Sequence, residues 1–372
     1  MSHAVGAAWR GFILVVVAVV VTTVALLGLE DHAVAYDLVQ VYVPAGERVL
    51  EGASPFPTLD DPVLEQNAAY VYPPLTALLA VPLTALPDAR LAILGVIGSL
   101  AALFGALWLL GVRDPRCYAV FALWPPTILA WQNANLSVLV VLACALAWRF
   151  RESWPRSGAA LGLGVALKLV LWPLVFWFLA TRRVWAAAVA GCVTAATVLL
   201  SWAVIGFDGL SSYPALLARL TELETKDTPG VSIFSAAIEL GASTALAHLA
   251  ALATGGSLLA ASVVLARKRD DRAAFTLALL AVPAFTPIVW LHYLTLLALP
   301  LAIYRPRLSA SWGIPLLFWV FALPWWPFEL RRVVAVLVVA LVVCLVRRPG
   351  RLLSWVAMFG GRAVPRSLPE QS

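Results

Sequence analysis

The sequence predicts an all-α polytopic membrane protein, and two observations carry this prediction. Of the 372 residues, 62% are hydrophobic and 12% are charged, whereas soluble domains carry roughly 45–50% apolar and about 25% charged residues. The mean hydropathy is +0.91, and the apolar residues form runs near the length of a membrane-spanning helix. At about 20 residues per span, the chain has room for about 10–13 spans. We expect one transmembrane domain over residues 1–346.

Residues 11–29 form the first apolar run and directly follow Arg10. A cleavable signal peptide has an apolar core of about 7–15 residues and ends at a small-residue site. This run is longer, and it ends at Gly28, Leu29 and Glu30. We therefore predict an uncleaved first span.

Charge along the chain predicts the orientation in the membrane. The segment from Glu30 to Tyr70 contains eight acidic residues and one cation, Arg48. Since cytoplasmic loops are rich in Lys and Arg, we predict an outer first loop here, a cytoplasmic N-terminus and a basic cytoplasmic tail over residues 347–372. Most connections between these segments carry basic clusters: Arg113 and Arg116; Arg149, Arg151 and Arg156; Arg182 and Arg183; Arg267, Lys268, Arg269 and Arg272; Arg305 and Arg307; Arg331 and Arg332. The net charge of +6 thus reflects orientation, and nucleic acid is not an expected partner.

Three apolar segments are flanked by basic residues on both sides. Two cytoplasmic ends require an even number of crossings, so we predict that each segment is a hairpin of short helices. Irregular backbone at membrane depth is tolerated only inside the protein or beside a water-filled cavity, so the polar or proline-marked middles predict a site at the outer face. The segments and their middles are Cys117–Trp148 with Gln132–Ser137, Ala159–Ala180 with Lys168–Pro173, and Ala273–Tyr304 with Pro283–His292.

Two other segments have simpler interpretations. Residues 70–83 open the second span with the pair Pro73 and Pro74, which suits the first turn of a helix. Tyr72 beside them is typical of the interfacial aromatic belt. Residues 207–230 have mixed charge and predict a surface or amphipathic helix on the outer side.

Asp37 is the first candidate for chemistry, because it heads an apolar stretch just after the first span. A partly desolvated carboxylate has a raised pKa, which suits a general base. The alternatives are a solvated loop acid or the N-cap of an interfacial helix.

Lys168 and His292 lie in the middles of two predicted hairpins. A charged side chain at membrane depth is costly and marks a pathway or an anionic ligand, of which a lipid phosphate is the simplest; snorkelling to the headgroups is the alternative. For His292 the alternative is a satisfied core histidine. Asn135 is either a helix-end cap or a donor in the same site.

Metal binding is not expected from this sequence. The four cysteines lie in or beside apolar runs, without a CxxC pair or a histidine at ligand spacing. We therefore predict no metal site and no cofactor beyond a lipid-linked substrate.

Five segments occur in an order known from one family. They are AYDLVQVYVPAGERVLEGASPF at Ala35–Phe56, YVYPPLTALLAVPL at Tyr70–Leu83, ANLSVLVVLACALAW at Ala134–Trp148, GLGVALKLVLWPLVFWFLATRRVWAA at Gly162–Ala187 and TPIVWLHYLTLLALPL at Thr286–Leu301. Together they resemble the actinobacterial polyprenol-phosphate-mannose-dependent mannosyltransferases of glycosyltransferase family 87, which have the GT-C membrane fold. Three features depart from the family: Ala134-Asn135 replaces Gly-Gln, Pro173 follows Lys168 by five residues, and Tyr293 replaces a second histidine.

The resemblance implies a GT-C-like helix bundle in the cell membrane that acts in cell-envelope biosynthesis. It implies inverting transfer of mannose, or a related sugar, from a polyprenol phosphate to a glycolipid or glycan acceptor on the extracytoplasmic side. Because a phosphate is a good leaving group, one base and stabilisation of the departing phosphate are enough. The implied catalytic residues are Asp37 and His292. The implied residues for the donor phosphate and substrate are Lys168, Arg48, Tyr72, Asn135 and Trp290.

A transporter or lipid flippase is the main alternative. Such proteins usually have internal repeats with broken helices in both halves, whereas the polar features here are asymmetric. A non-catalytic scaffold for envelope assembly is a third interpretation. Loss of sugar transfer, compared with loss of substrate flux, would separate the first two.

Overall fold

The structure is a computed structural model that describes residues 34–66, 68–227 and 230–322, together with Gly11 and Val339. These ranges are helical and contain no strand, which confirms the predicted all-α class for the described part. The first apolar run, apart from Gly11, and the segment 347–372 lie outside the described residues. So do the basic pair Arg331 and Arg332 and the fourth cysteine, Cys344.

Fifteen α-helices occur in the described ranges. They are α1 Val43–Leu50, α2 Leu75–Ala80, α3 Asp88–Leu109, α4 Pro115–Ala122, α5 Pro125–Gln132, α6 Ser137–Arg149, α7 Trp154–Leu167, α8 Pro173–Ala180, α9 Val184–Val204, α10 Tyr213–Asp227, α11 Ile233–Glu239, α12 Thr244–Arg267, α13 Asp271–Phe285, α14 Ala298–Tyr304 and α15 Ala310–Gly313. A π-helical turn, Asp37–Tyr42, leads into α1. Short 3₁₀ segments lie at Pro62–Gln66, Val81–Leu83, Leu169–Leu171, Leu291–Leu297 and Ile314–Ala322.

Three described helices, α3, α9 and α12, are long and apolar enough to cross a membrane. The number of such crossings in the described residues rises to four when α5 and α6, which meet at 112°, are counted as one broken span. Each of these helices exposes large apolar side chains on one part of its surface: Ile97 is 60% exposed, Trp185 69% and Leu249 60%. Exposed apolar side chains are stable in contact with lipid, so the architecture is that of a multi-pass membrane protein.

The helices break at all three predicted middles. The bend between α5 and α6 occupies Asn133–Leu136, α7 ends just before the extended residue Lys168, and α13 ends at Phe285 ahead of the 3₁₀ segment Leu291–Leu297. Prolines contribute to these boundaries, because α8 starts at Pro173 and a proline lacks only an amide that is orphaned at a helix start.

Two other segments test the sequence interpretation. Residues 70–83 do not open a long span: α2 has six residues and gives way to a 3₁₀ turn at Val81–Leu83. Pro82 and Pro87 each lack an amide donor, which interrupts the hydrogen-bond ladder before α3. The helix expected in the mixed-charge segment 207–230 is confirmed as α10.

Glycines allow α7 and α9 to pack at close range. A Cβ added to Gly158 would lie 2.6 Å from the carbonyl oxygen of Ala186, and one added to Gly162 would lie 2.7 Å from that of Ala190. The hydroxyl of Thr194 donates to the carbonyl of Gly162 at 3.0 Å. Small residues spaced in this way bring membrane helices into backbone contact, which fixes the end of α7, where Lys168 lies.

Candidate active site

The start of the outer loop is bound to the bend between α5 and α6. The amide of Ala35 donates to the carbonyl of Gln132 at 2.6 Å, and the amide of Asp37 donates to that of Asn133 at 3.0 Å. These carbonyls end α5 and have no partner within their own helix. Ala35 and Ala134 have φ angles of 62° and 49°, a conformation that is uncommon outside glycine. The bend therefore holds Asp37 in place through the backbone.

The Asp37 carboxylate is oriented by Asn135. The side-chain amide of Asn135 donates a short hydrogen bond to Asp37 Oδ2, while its Oδ1 accepts from the amide of Ser137 at 2.8 Å. Asn135 is 2% exposed, so its side chain is fixed in the turn. Burial raises the pKa of Asp37, and the Asn135 hydrogen bond and the charge of Lys168 oppose that rise. The carboxyl is a partly buried group, unlike a solvated loop acid.

Lys168 ends inside the protein. It follows the last residue of α7 in an extended conformation and is 5% exposed. Its Nζ donates to the hydroxyl of Ser137 at 3.2 Å and lies over two aromatic rings, 3.7 Å from the centroid of Tyr293 and 5.6 Å from that of Tyr72. This geometry disagrees with snorkelling, because the ammonium is enclosed by side chains.

His292 approaches from the third broken segment. It lies near the start of the 3₁₀ segment Leu291–Leu297, is 7% exposed, and its ring centroid is 5.1 Å from that of Tyr293. Its buried Nε2 has no hydrogen-bond partner in the described part of the chain. Because buried polar atoms are rarely left unpaired, the interpretation as a satisfied core histidine does not fit.

Five predicted residues therefore come together: Asp37, Tyr72, Asn135, Lys168 and His292. The other two predicted residues have different surroundings in the described part of the chain. Arg48 is exposed on α1, and the half-buried Trp290 lines a small cavity with Thr221, Ile288 and Val289.

Two residues of the site escaped the sequence interpretation. Tyr293 stands where the family pattern has a second histidine, and its ring lies over Lys168. The Tyr42 hydroxyl accepts from the amide of Leu136 at 3.3 Å, and its ring packs edge-on against Tyr72. Tyr42 lies five residues after Asp37, and Tyr293 lies one residue after His292. This closeness in sequence to the candidates is the one signal that could have found them.

A mostly apolar cavity of about 210 Å³ adjoins the site. Its lining includes Leu38, Tyr42, Gly95, Leu139 and Asn135. Asn135 thus contacts the cavity and also binds Asp37. In the described residues, no group of three or more His, Cys, Asp or Glu side chains could hold a metal ion.

Comparison with known proteins gives two results. A model of glycosyltransferase family 87 matches residues 70–289, which include Tyr72, Asn135 and Lys168 but neither Asp37 nor His292. Two curated relatives are both named polyprenol-phosphate-mannose-dependent alpha-(1-2)-phosphatidylinositol pentamannoside mannosyltransferase. The one from Mycolicibacterium smegmatis is 29% identical over 67% of this chain, and the one from Mycobacterium tuberculosis is 27% identical over 68%. The chain spans 64% and 58% of their lengths. No solved structure matches the chain.

Proposed function

Since the chain belongs to glycosyltransferase family 87, we propose that it transfers mannose, or a related sugar, from a polyprenol phosphate to a glycolipid or glycan acceptor. The names of the two relatives support this donor. They also make a phosphatidylinositol-linked glycolipid the first acceptor class to test. The reaction inverts the anomeric carbon and takes place on the extracytoplasmic face of the cell membrane.

One observation carries the proposal: a carboxylate from the outer loop converges on one buried site with an ammonium and an imidazole from two separate broken segments. The Asn135–Ser137 turn links two of them, because Asn135 binds Asp37 and Ser137 binds Lys168. Tyr293 contacts both Lys168 and His292. A base on one side and two phosphate-binding groups on the other are what transfer from a sugar phosphate requires.

In the proposed reaction, Asp37 accepts the proton of the acceptor hydroxyl as its oxygen forms a bond to the anomeric carbon. The bond between that carbon and the phosphate oxygen breaks, and polyprenyl phosphate leaves with the electron pair. Lys168 and His292 stabilise the negative charge that develops on the phosphate. A single displacement at the anomeric carbon inverts its configuration, which is why one carboxylate is enough.

The remaining residues contribute to substrate binding in this proposal. Asn135 orients the base, and Tyr72 flanks the phosphate beside Lys168. Trp290 and the exposed Arg48 are proposed to contact more distant parts of the substrates. The apolar cavity beside Asn135 supports a substrate with a lipid chain, because apolar surface is stable there only when it is covered.

Purified protein in lipid bilayers provides the test of donor and acceptor. Polyprenol-phosphate-mannose is supplied with a phosphatidylinositol mannoside, and products are read by mass spectrometry, with a polyprenol-phosphate pentose as the competing donor. We expect a mannosylated glycolipid with inverted anomeric configuration. Transmembrane flux of the lipid without any transferred sugar would instead support a transporter.

Sidedness is tested by single cysteines introduced into a variant that lacks the four native ones. We expect Asp60→Cys in the outer loop to react with an impermeant thiol reagent from outside. Arg156→Cys and Arg307→Cys, which are also exposed in the structure, should react only after the membrane is opened. Labelling of Arg156→Cys from outside would contradict the proposed orientation.

A further inference from the structure

The Lys168 ammonium is held by one hydrogen bond and two aromatic faces. An ammonium group has three donors, and Ser137 Oγ is its one hydrogen-bond acceptor in the described residues. The ring of Tyr293, at 3.7 Å, is the closer of the two aromatic faces, and that of Tyr72 lies at 5.6 Å. With one donor on Ser137 and the Tyr293 ring over the ammonium, donor capacity still remains for a ligand, although the side chain is 5% exposed.

Asp37 is the carboxylate with which Lys168 could most easily pair. The two charges interact, yet no direct ion pair joins them in the described part of the chain. A lysine side chain has a flexible four-carbon stem, so something must keep the ammonium away from the carboxylate. The Tyr293 ring is in the right position to do so, because it comes from the same broken segment as His292 and covers the ammonium directly.

We propose that Tyr293 is a positioning residue: its ring face holds the Lys168 ammonium apart from Asp37, with donor capacity left for the phosphate of a polyprenyl phosphate. A cation over an aromatic face is attracted by the ring quadrupole, and this attraction strengthens when water is excluded. The ring keeps the base unpaired and the cation available at the same time. The inference rests on the proposed function and adds that Tyr293 sets the affinity of the site for the phosphate.

The test measures binding rather than transfer. Polyprenyl phosphate, which carries no sugar, is titrated against the purified protein in lipid nanodiscs, and Kd is determined. We expect Tyr293→Leu, which removes the ring, to raise Kd by about tenfold, as loss of a desolvated cation–π contact implies. Tyr293→Phe retains the ring and should keep Kd within about twofold.

A double-mutant cycle separates positioning from general packing. If Tyr293 acts through the ammonium, Tyr293→Leu should have no further effect in a Lys168→Met background, since the cation is already absent. Additive effects would show that the ring packs against something else and would overturn the inference. Tyr118→Leu is the matched control, because this half-buried tyrosine packs against another aromatic ring, that of Phe104, away from the site. It should alter stability without altering Kd.

The outcomes distinguish this inference from the proposed function. Unchanged Kd in Tyr293→Leu, in a protein that transfers mannose, overturns the inference alone. Normal binding of polyprenyl phosphate with the expected cycle, but no sugar transfer with any donor, overturns the proposed function alone. Failure of the unaltered protein to bind polyprenyl phosphate overturns both.

Discussion

Two clusters, each with acidic and basic side chains, lie at the two ends of α8. They differ in how completely their charges are paired. At one end, Asp271 accepts from Trp177 Nε1 at 2.7 Å and from both terminal nitrogens of Arg183 at 3.0 Å. Arg151 Nε lies 3.4 Å from the same carboxylate and also covers the ring of Trp148. At the other end, the Asp37 carboxylate has one donor, Asn135, in the described residues, and Lys168 is not paired with it.

This difference indicates different roles. A carboxylate with several donors is satisfied, and such a network ties together the segments that supply it: here the connection after α6, the connection after α8 and the start of α13. A buried carboxylate with one donor and a buried ammonium with one acceptor can still form further hydrogen bonds. Leaving these bonds unformed lowers the stability of the fold. We therefore expect the Asp271 cluster to stabilise the fold and the Asp37 cluster to bind and react.

Asp37→Asn gives the largest expected effect on activity. The substitution keeps the shape but removes the proton acceptor, so transfer should fall by about a hundredfold or more. Because burial raises the folded-state pKa of Asp37, the ionised carboxylate lowers the stability of the fold at pH values above that pKa. The unfolding temperature of Asp37→Asn should therefore equal or exceed that of the unaltered protein. Activity within a few-fold of the original, in a stable variant, would contradict the assignment of the base.

His292→Ala is expected to have the second-largest effect. A hydrogen bond to the departing phosphate strengthens as charge develops, so kcat should fall more than the donor KM changes. A fall of about tenfold to a hundredfold corresponds to one hydrogen bond to a charged group. His292→Gln, which retains a donor, is the control and should recover part of kcat. Equal kcat in all three proteins would assign His292 to packing.

Asn135→Ala tests the electrostatics of the site through pH dependence. The Asn135 hydrogen bond lowers the pKa of Asp37, so its loss should raise that pKa further. Asp37 must be deprotonated to act as a base; hence the acidic limb of kcat/KM should move to higher pH, and activity should fall by more in mildly acidic than in mildly alkaline buffer. An unchanged profile with uniformly lower activity would mean that Asn135 serves only as a helix-end cap.

Asp271→Asn should have the smallest effect on activity and the opposite effect on stability to Asp37→Asn. It leaves Arg183 and Arg151 without their shared carboxylate, which should lower the free energy of unfolding by about 1–2 kcal/mol. The donor KM and kcat of the folded protein should stay within about twofold, because the cluster shares no partner with the site. A large loss of kcat without loss of stability would remove the distinction between the two clusters.

Much of the fold and of the candidate site could be predicted from short stretches of the sequence. The hydropathy of the chain excludes a soluble fold, and the polar or proline-marked middles predict where the helices break. Lys168, Asp37 and His292 stand out because a polar side chain in an apolar run is costly to bury and needs a reason to be there. In contrast, α2 is shorter than the second span expected at residues 70–83, since the effect of Pro82 on helix length depends on what packs around it.

The membrane class, the three broken segments and the candidate polar residues follow from the amino-acid sequence, because hydropathy, helix termination and desolvation cost are properties of short stretches of chain. Which of those residues meet depends on the packing of the helices. Asn135 and Ser137 link Asp37 to Lys168, and Tyr293 covers the ammonium. Arg48 is exposed on α1, and Trp290 lines a small cavity. These contacts join residues that are tens to hundreds of positions apart, so they depend on how α6, α7 and the Leu291–Leu297 segment pack, which no local pattern specifies.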